Sequence, residues 1–231
     1  METETQKNKL LTDKAMIEII DYIKSNNLEP GSKLPNEYIL AAELDVGRST
    51  LREAIRRLVS RNILDVRQGA GTFVSEKKGV PEDPLGLTFM ENDPKLGIDL
   101  LDIRLMLEPE IVALVAQNAS DLQISEIYSR CSAVEKKIDL GLEYYKEDLA
   151  LHTYFAECSG NNILKTLIPI IVKSIQLTTA WSMDTFRADT YLQHRQIADF
   201  ISRHDCIGAR ASMIEHLNTT RKFFVSMLDQ K

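Results

Sequence analysis

From Leu100 to the C-terminus, apolar residues recur every three or four positions, and only short turn sequences interrupt the pattern. This spacing places the apolar side chains on one face of an α-helix, whereas a half-buried strand would alternate apolar and polar residues. Turn sequences at Gly141, at 159–161 and at 204–205 separate the helices. The predicted helices span residues 100–117, 122–140, 142–158, 162–181, 187–203 and 206–229. The C-terminal part is therefore predicted to be an all-α bundle.

The first 75 residues combine helical spacing with strand and turn patterns. Thr12 and Asn36 are residue types that cap helices, and each precedes a stretch of helical apolar spacing. Glycines at 69 and 71 between β-branched residues are typical of a hairpin. The predicted elements are, in order, a helix over 12–27, a short strand at 33–34, a helix after Asn36 with Ile39, Leu40 and Leu44 inward, a helix over 49–61 and a hairpin around 68–71. This order predicts a winged helix-turn-helix.

The stretch SEKKGVPEDP, residues 75–84, is polar and contains two prolines and a glycine, which is typical of a linker. We therefore expect a mainly α protein with a winged helix-turn-helix domain at 1–75, a linker at 76–84 and an all-α domain at 85–231.

Composition excludes several classes of protein. No apolar run approaches the length that a membrane helix needs, and the polar N-terminus resembles neither a secretory signal nor a transit peptide. Three widely spaced cysteines, an odd number, argue against a disulfide scaffold and for a reducing compartment. We expect a cytoplasmic protein that does not enter the membrane.

Arginine is concentrated between residues 48 and 67. This window holds six arginines, two acidic residues and no lysine, although the whole chain has a net charge of −6. On the helix predicted over 49–61, Leu51, Ile55 and Leu58 form the buried stripe, and arginines follow another face. Guanidinium groups pair with phosphates and bond both major-groove acceptors of guanine, so this face suits double-stranded DNA.

A solvated helix face, with Glu53 and Arg57 paired four residues apart, is the alternative for the arginine pattern. The hairpin favours DNA, because the glycines at its tip allow close approach to a phosphate or a minor groove.

The stretch EPGSKLPNEYILAAELDVGRSTLREAIRRLVSRNILDVRQGAGTFV resembles the DNA-binding domain of the GntR family of bacterial transcription regulators. Arg48 and Arg52 occupy the positions of the family's two recognition-helix arginines, which implies contacts with base edges and phosphates. Tyr38 stands where members commonly have an arginine, and this change puts a shared operator sequence in doubt. The predicted DNA-binding residues are Tyr38, Arg48, Ser49, Thr50, Arg52, Arg56, Arg67, Gln68 and Gly69.

Asp148 and His152 are four residues apart and therefore project from one helical face. Such a pair is either exposed or hydrogen-bonded, or it shares a metal ion, and spacing alone leaves both possibilities open. His194 and His216 lie in two other predicted helices. Arg104 has a possible salt-bridge partner, Glu108, four residues along its helix.

The stretches LLDIRLMLEPEIVALVA, DLALHTYFAECSGNNIL, HRQIADFI and MIEHLNTT resemble the FCD ligand-binding domain of FadR-type GntR regulators. In metal-binding members of that subfamily, one aspartate and three histidines hold a divalent ion, and their positions match Asp148, His152, His194 and His216. Three nitrogens and one oxygen suit Zn²⁺, Ni²⁺ or Mn²⁺. The resemblance also implies that Arg104 binds a carboxylate effector, a small organic or sugar acid.

Two functions follow from these patterns. The first is a homodimeric, ligand-responsive regulator that binds operator DNA and represses a carboxylate or sugar-acid operon, since repression relieved by the effector is the commoner arrangement in the family. The second is a metal-dependent hydrolase with an appended nucleic-acid-binding domain. Catalysis would also require a general base beside the metal-bound water, and the sequence contains no motif such as H-E-x-x-H, so we favour a regulator over an enzyme.

Overall fold

A computed structural model of the protein describes residues 4–87, 90, 94–174 and 187–228. The chain divides into two compact units, residues 1–84 and 85–231, and each buries its own hydrophobic core. The part of the helix predicted over 162–181 that follows residue 174 lies outside the described residues.

The first unit is a winged helix-turn-helix, as predicted. Three helices precede an antiparallel hairpin, and Lys33 adds a single bridge to Phe73 at the position of the predicted short strand. The elements are α1 (Glu4–Ser25), α2 (Glu37–Glu43), α3 (Arg48–Ser60), β1 (Leu64–Arg67) and β2 (Gly71–Val74).

Asn36 caps α2 as predicted, because its side-chain oxygen accepts hydrogen bonds from two backbone N–H groups in the first turn. Thr12 does not cap α1, since the helix starts at Glu4 and the Thr12 hydroxyl donates to the carbonyl of Asn8 at 2.9 Å. Ile39 is 44% exposed rather than inward, because the short α2 turns only Leu40 and Ala41 fully into the core.

The core of the first unit joins α1 to α3. The predicted stripe of Leu51, Ile55 and Leu58 is buried and packs with residues of α1, among them Ala15 and Ile19. Burial of this stripe leaves the arginine face of α3 on the surface. Residues 76–84, predicted as a linker, include Gly79 and Val80, which form hydrogen bonds with Asn62 at 2.8 and 2.9 Å.

The second unit is helical throughout most of its described part, and fits the predicted all-α bundle. Gly141 and Gly160 adopt positive φ angles of 66° and 74° in the turns where the sequence predicts helix ends. The helices are α4 (Pro94–Asn118), α5 (Asp121–Asp139), α6 (Tyr145–Cys158), α7 (Asn162–Ser174), α8 (Arg187–Ser202) and α9 (Cys206–Leu228).

Helices α4 and α9 lie side by side over much of their lengths. Two ion pairs connect them, from Arg210 to Glu110 at 2.7 Å and from Arg221 to Asp102 at 2.6 Å. Helices α6 and α8 also pack against α4, so side chains from four helices meet inside the unit.

Among the described residues, none of the helices combines the length and the apolar character that crossing a bilayer requires.

Candidate metal centre and nucleic-acid surface

Four side chains of the metal-ligand types meet inside the second unit. Asp148 and His152 lie one turn apart on α6, His194 lies on α8 and His216 on α9. One potential ligand atom from each residue lies within 4.8 Å of those from the other three, and all four residues are buried. The structure therefore brings together the four residues that the family resemblance implies.

The geometry of the cluster is compact. The Oδ1 atom of Asp148 lies 3.4 Å from Nε2 of His194 and 3.8 Å from Nε2 of His152. The centroids of the imidazole rings are 4.5 to 5.5 Å apart. One aspartate oxygen and several imidazole nitrogens can thus converge on one point, as a divalent cation requires.

Several buried nitrogens of this cluster have no hydrogen-bond partner among the described residues. They are Nε2 of His152 and both ring nitrogens of His194. A buried polar atom without a partner costs about 1–3 kcal/mol, so proteins normally satisfy such atoms. Coordination to a metal ion would satisfy Nε2 of His152 and one of the two ring nitrogens of His194, and the donor set therefore fits a bound divalent ion.

Burial favours the neutral form of two histidines of the cluster, His194 and His216. It lowers the pKa of His194 to about 4, although the Asp148 carboxylate acts in the opposite direction. Burial also lowers the pKa of His216 well below its usual value, and His194 and His152 lower it further. A neutral imidazole retains a nitrogen lone pair, which is the form that binds a metal.

Glu108 orients His152. The Nδ1 atom of His152 contacts the Glu108 carboxylate, which only accepts hydrogen bonds, so we assign the proton to Nδ1. The lone pair is then on Nε2, the nitrogen that lies 3.8 Å from Asp148. A carboxylate behind a ligating histidine is a common arrangement in metal sites.

A hydrogen-bond chain orients His216 in the same way. The Thr219 hydroxyl donates to the carbonyl of Glu215, and its oxygen accepts from the Gln193 amide group at 3.0 Å. The Gln193 amide oxygen therefore faces Nδ1 of His216 at 3.2 Å and accepts its proton. Nε2 of His216 is left as the nitrogen that can bind a metal.

Arg104 lies beside this cluster and is only 3% exposed. Its guanidinium contacts both carboxylate oxygens of Glu108, which is the salt bridge that the sequence spacing predicts as possible. The Nη2 atom of Arg104 also lies 3.0 Å from Nδ1 of His152. Burial alone would lower the pKa of Arg104, but Glu108 raises it. Burial likewise acts to raise the pKa of Glu108, yet Arg104 and His152 hold that pKa at about 2. The pair is therefore fully charged in the interior.

Sequence reasoning assigned no metal-site role to Glu108 or Gln193. Glu108 was recognisable only as the i+4 neighbour of Arg104, and its contact with His152 spans 44 residues of chain. Gln193 precedes His194, but its contact is with His216 on the following helix. Neither contact has a local sequence pattern that could have predicted it.

The predicted DNA-binding residues of α3 lie on the surface of the first unit. Arg48, Ser49, Arg52 and Arg56 are exposed, and Thr50 is half-buried. Tyr38, at the start of α2, is 72% exposed. An open cleft of about 490 Å³ runs between Tyr38 and Arg48.

Arg57 differs from these arginines. Its Nε contacts Glu53 at 3.3 Å, as the alternative interpretation of the arginine pattern expected, and its Nη1 contacts Asp13 of α1 at 3.0 Å. Arg57 therefore connects two helices of the core, whereas Arg52 reaches Glu37 on the surface at 2.5 Å.

The tip of the hairpin is exposed and open. The Arg67 guanidinium lies 4.2 Å from the centre of the Phe73 ring, which holds the charged group against the β1–β2 hairpin, the wing of this domain. Gln68 and Gly69 are exposed, and Gly69 has a φ of +72° with open space around the position of a Cβ. A second groove, of about 400 Å³, separates this hairpin from Lys33 and the start of α2.

Comparison with known families identifies both units. The family described as "Bacterial regulatory proteins, gntR family" matches residues 11–74. The FCD domain family matches residues 99–219, which include all four clustered residues and Arg104.

Individual proteins match nearly the whole chain. A solved structure described as "Streptococcus agalactiae GntR" is 37% identical, with a TM-score of 0.84 over 91% of this chain and 99% of that one. The Escherichia coli K12 protein named "Putative L-lactate dehydrogenase operon regulatory protein" is 32% identical over 93% of this chain and 87% of its own. The Bacillus subtilis "HTH-type transcriptional regulator LutR" is 28% identical over 84% of this chain and 92% of its own.

Proposed function

This chain belongs to the GntR family of bacterial regulatory proteins and carries an FCD domain, and from that premise we propose that it is a metal-dependent, acid-responsive repressor. Family membership makes it a DNA-binding transcription regulator rather than an enzyme, so the hydrolase alternative is set aside. Beyond family membership, the proposal includes a homodimer, operator DNA contacted by α3 and the wing, a bound divalent ion and a small acid as effector.

The exposed face of α3 is the observation that supports the DNA contacts. Arg48, Arg52 and Arg56 follow one another at intervals of about one helical turn, and Leu51 and Ile55 on a neighbouring face of the helix are buried in the core. A helix anchored in this way fits a major groove, and the open tip at Gly69 fits close approach to the DNA backbone. In a homodimer, two such helices would enter successive major grooves of a palindromic site.

Two arginines of the same helix test this assignment. We expect Arg52→Ala to weaken operator binding at least about tenfold, because one good base contact contributes roughly 1–3 kcal/mol of discrimination. The melting temperature should not change, since Arg52 is exposed. We expect Arg57→Ala to show the reverse pattern, a loss of about 1 kcal/mol in unfolding free energy with a smaller change in DNA affinity. Equal losses of stability in both variants would contradict the assignment.

Buried ring nitrogens that have no hydrogen-bond partner in the described part of the chain support the presence of a metal ion. His152, His194, His216 and Asp148 would hold the ion, which would supply a positive charge able to bind a carboxylate. Glu108 and Gln193 would hold two of the imidazoles in the orientation that coordination needs.

Arg104 supports an anionic effector. Its buried cationic group lies beside the cluster, so an acid bound at the ion would have a second positive charge nearby. The name of the Escherichia coli relative makes L-lactate the first acid to examine.

His152→Ala tests the metal. After dialysis, wild-type protein should retain about one divalent ion per chain by elemental analysis, and His152→Ala should retain much less because one of four ligands is lost. His204→Asn is the matched control, since His204 is exposed and contacts the carbonyl of Ala116 rather than the cluster. Undiminished metal in His152→Ala would reject the site.

A further inference from the structure

An acidic side chain lies on the surface proposed to contact DNA. Glu37, the first residue of α2, accepts a hydrogen bond at 2.5 Å from Nε of Arg52 on α3. Both side chains remain accessible, with 38% of Glu37 and 55% of Arg52 exposed. A carboxylate at this place repels DNA phosphates, so its presence requires an explanation other than general affinity.

The contact with Glu37 involves Nε of the Arg52 guanidinium and not the end of the group that would meet a base. A guanidinium has five N–H groups in a planar fork, and Glu37 accepts from Nε. The end of the fork, formed by Nη1 and Nη2, has the geometry that bonds O6 and N7 of guanine together. Fixing Nε restricts the side-chain rotamers, so less conformational entropy is lost when the fork meets a base.

The ion pair also changes the balance between specific and non-specific binding. The negative charge of Glu37 offsets that of Arg52, which reduces the release of counterions when Arg52 approaches the backbone. Hydrogen bonds from the oriented fork to a base edge are retained. The pair therefore weakens sequence-independent attraction and keeps sequence-dependent contacts.

We infer that Glu37 is a specificity-determining positioning residue, which aims Arg52 at a guanine and suppresses non-specific binding. This inference rests on the proposed contact between α3 and the major groove. It assigns Arg52 to a base edge, whereas a phosphate contact would leave Glu37 with only an unfavourable effect.

The experiment begins with selection of a preferred duplex from a random library by wild-type protein. Each guanine of that duplex is then replaced by 7-deazaguanine, which lacks the N7 acceptor, and dissociation constants are measured for wild type, Arg52→Ala and Glu37→Gln. The guanine read by Arg52 is the one whose replacement weakens wild type but has no effect on Arg52→Ala.

At that guanine, wild type should lose on the order of tenfold in affinity, and Glu37→Gln should lose much less because its arginine is no longer aimed. On random duplex, Glu37→Gln should bind more tightly than wild type, and its log–log salt dependence should be steeper by about 0.9 per subunit. The Glu37→Gln melting temperature should match that of wild type, which separates aiming from a structural role.

Glu43→Gln is the matched control. It removes one negative charge from the other end of α2, where the nearby group is Tyr22 rather than Arg52, and should leave discrimination at the guanine unchanged.

The inference is overturned if Glu37→Gln keeps wild-type discrimination at that guanine, or if no guanine distinguishes wild type from Arg52→Ala. A different result, in which wild type selects no duplex, would instead remove the proposed DNA contact itself.

Discussion

At the scale of single residues, the two units use the same device. In each unit a carboxylate forms a hydrogen bond with a side chain of the proposed site: Glu37 with Arg52, and Glu108 with His152. On the surface, water screens the pair and its contribution to stability is small. In the interior, Glu108 is also paired with Arg104, and removing either member of that pair would leave the other as a buried charge without its ion-pair partner.

The buried histidines predict how stability depends on pH. The pKa of His194 is lowered to about 4 in the folded protein because burial disfavours the charged ring, whereas the usual value is 6.5. Between these values the unfolded chain binds a proton that the folded chain does not, and His216 acts in the same direction. Metal-free protein should therefore be most stable above pH 6.5 and lose stability as the pH falls toward 4.

Urea unfolding of chelator-treated protein at pH 7.5 and pH 5.5 measures this dependence, in a range where most carboxylates stay ionised. The unfolding midpoint should be lower at pH 5.5, and the difference should shrink in His194→Asn. His204→Asn should retain the wild-type difference, because His204 lies on the surface. A midpoint that does not change with pH in wild type would contradict burial of the neutral rings.

At the scale of elements, apolar spacing and turn residues predicted the helices well but missed the N-terminal ends of α1 and α4. The apolar pattern starts near Thr12, yet α1 starts at Glu4, because glutamate, glutamine and lysine favour a helix without any apolar pattern. Similarly, α4 begins at Pro94 rather than Leu100, and proline is well tolerated in the first turn of a helix.

The candidate sites were predictable only in part. The i, i+4 spacing placed Asp148 and His152 on one face, but α8 and α9 had to pack against α6 before His194 and His216 could join them. Family resemblance supplied that tertiary information. It did not supply the contact of Glu37 with Arg52, which depends on how α2 lies across α3 in this chain.

At the scale of the whole molecule, charge is distributed unevenly along the sequence. The window from residue 48 to residue 67 is basic, whereas the chain as a whole has a net charge of −6. The acidic remainder repels DNA, so electrostatic attraction favours approach through α3 and the wing. The uneven charge distribution therefore favours one orientation of the protein on DNA and also contributes to its affinity.

The proposed regulator must also obey thermodynamic linkage between its acid and its operator. If metal-loaded protein binds L-lactate, saturating lactate should change operator affinity by roughly 5- to 150-fold, which corresponds to a coupling free energy of about 1–3 kcal/mol. Saturating operator duplex must then change lactate affinity by the same factor, measured by calorimetry. Both effects should disappear in His152→Ala, whose cluster lacks a ligand, and persist in His204→Asn. If lactate changes operator affinity equally in wild type and His152→Ala, the acid acts elsewhere and the cluster is not the effector site.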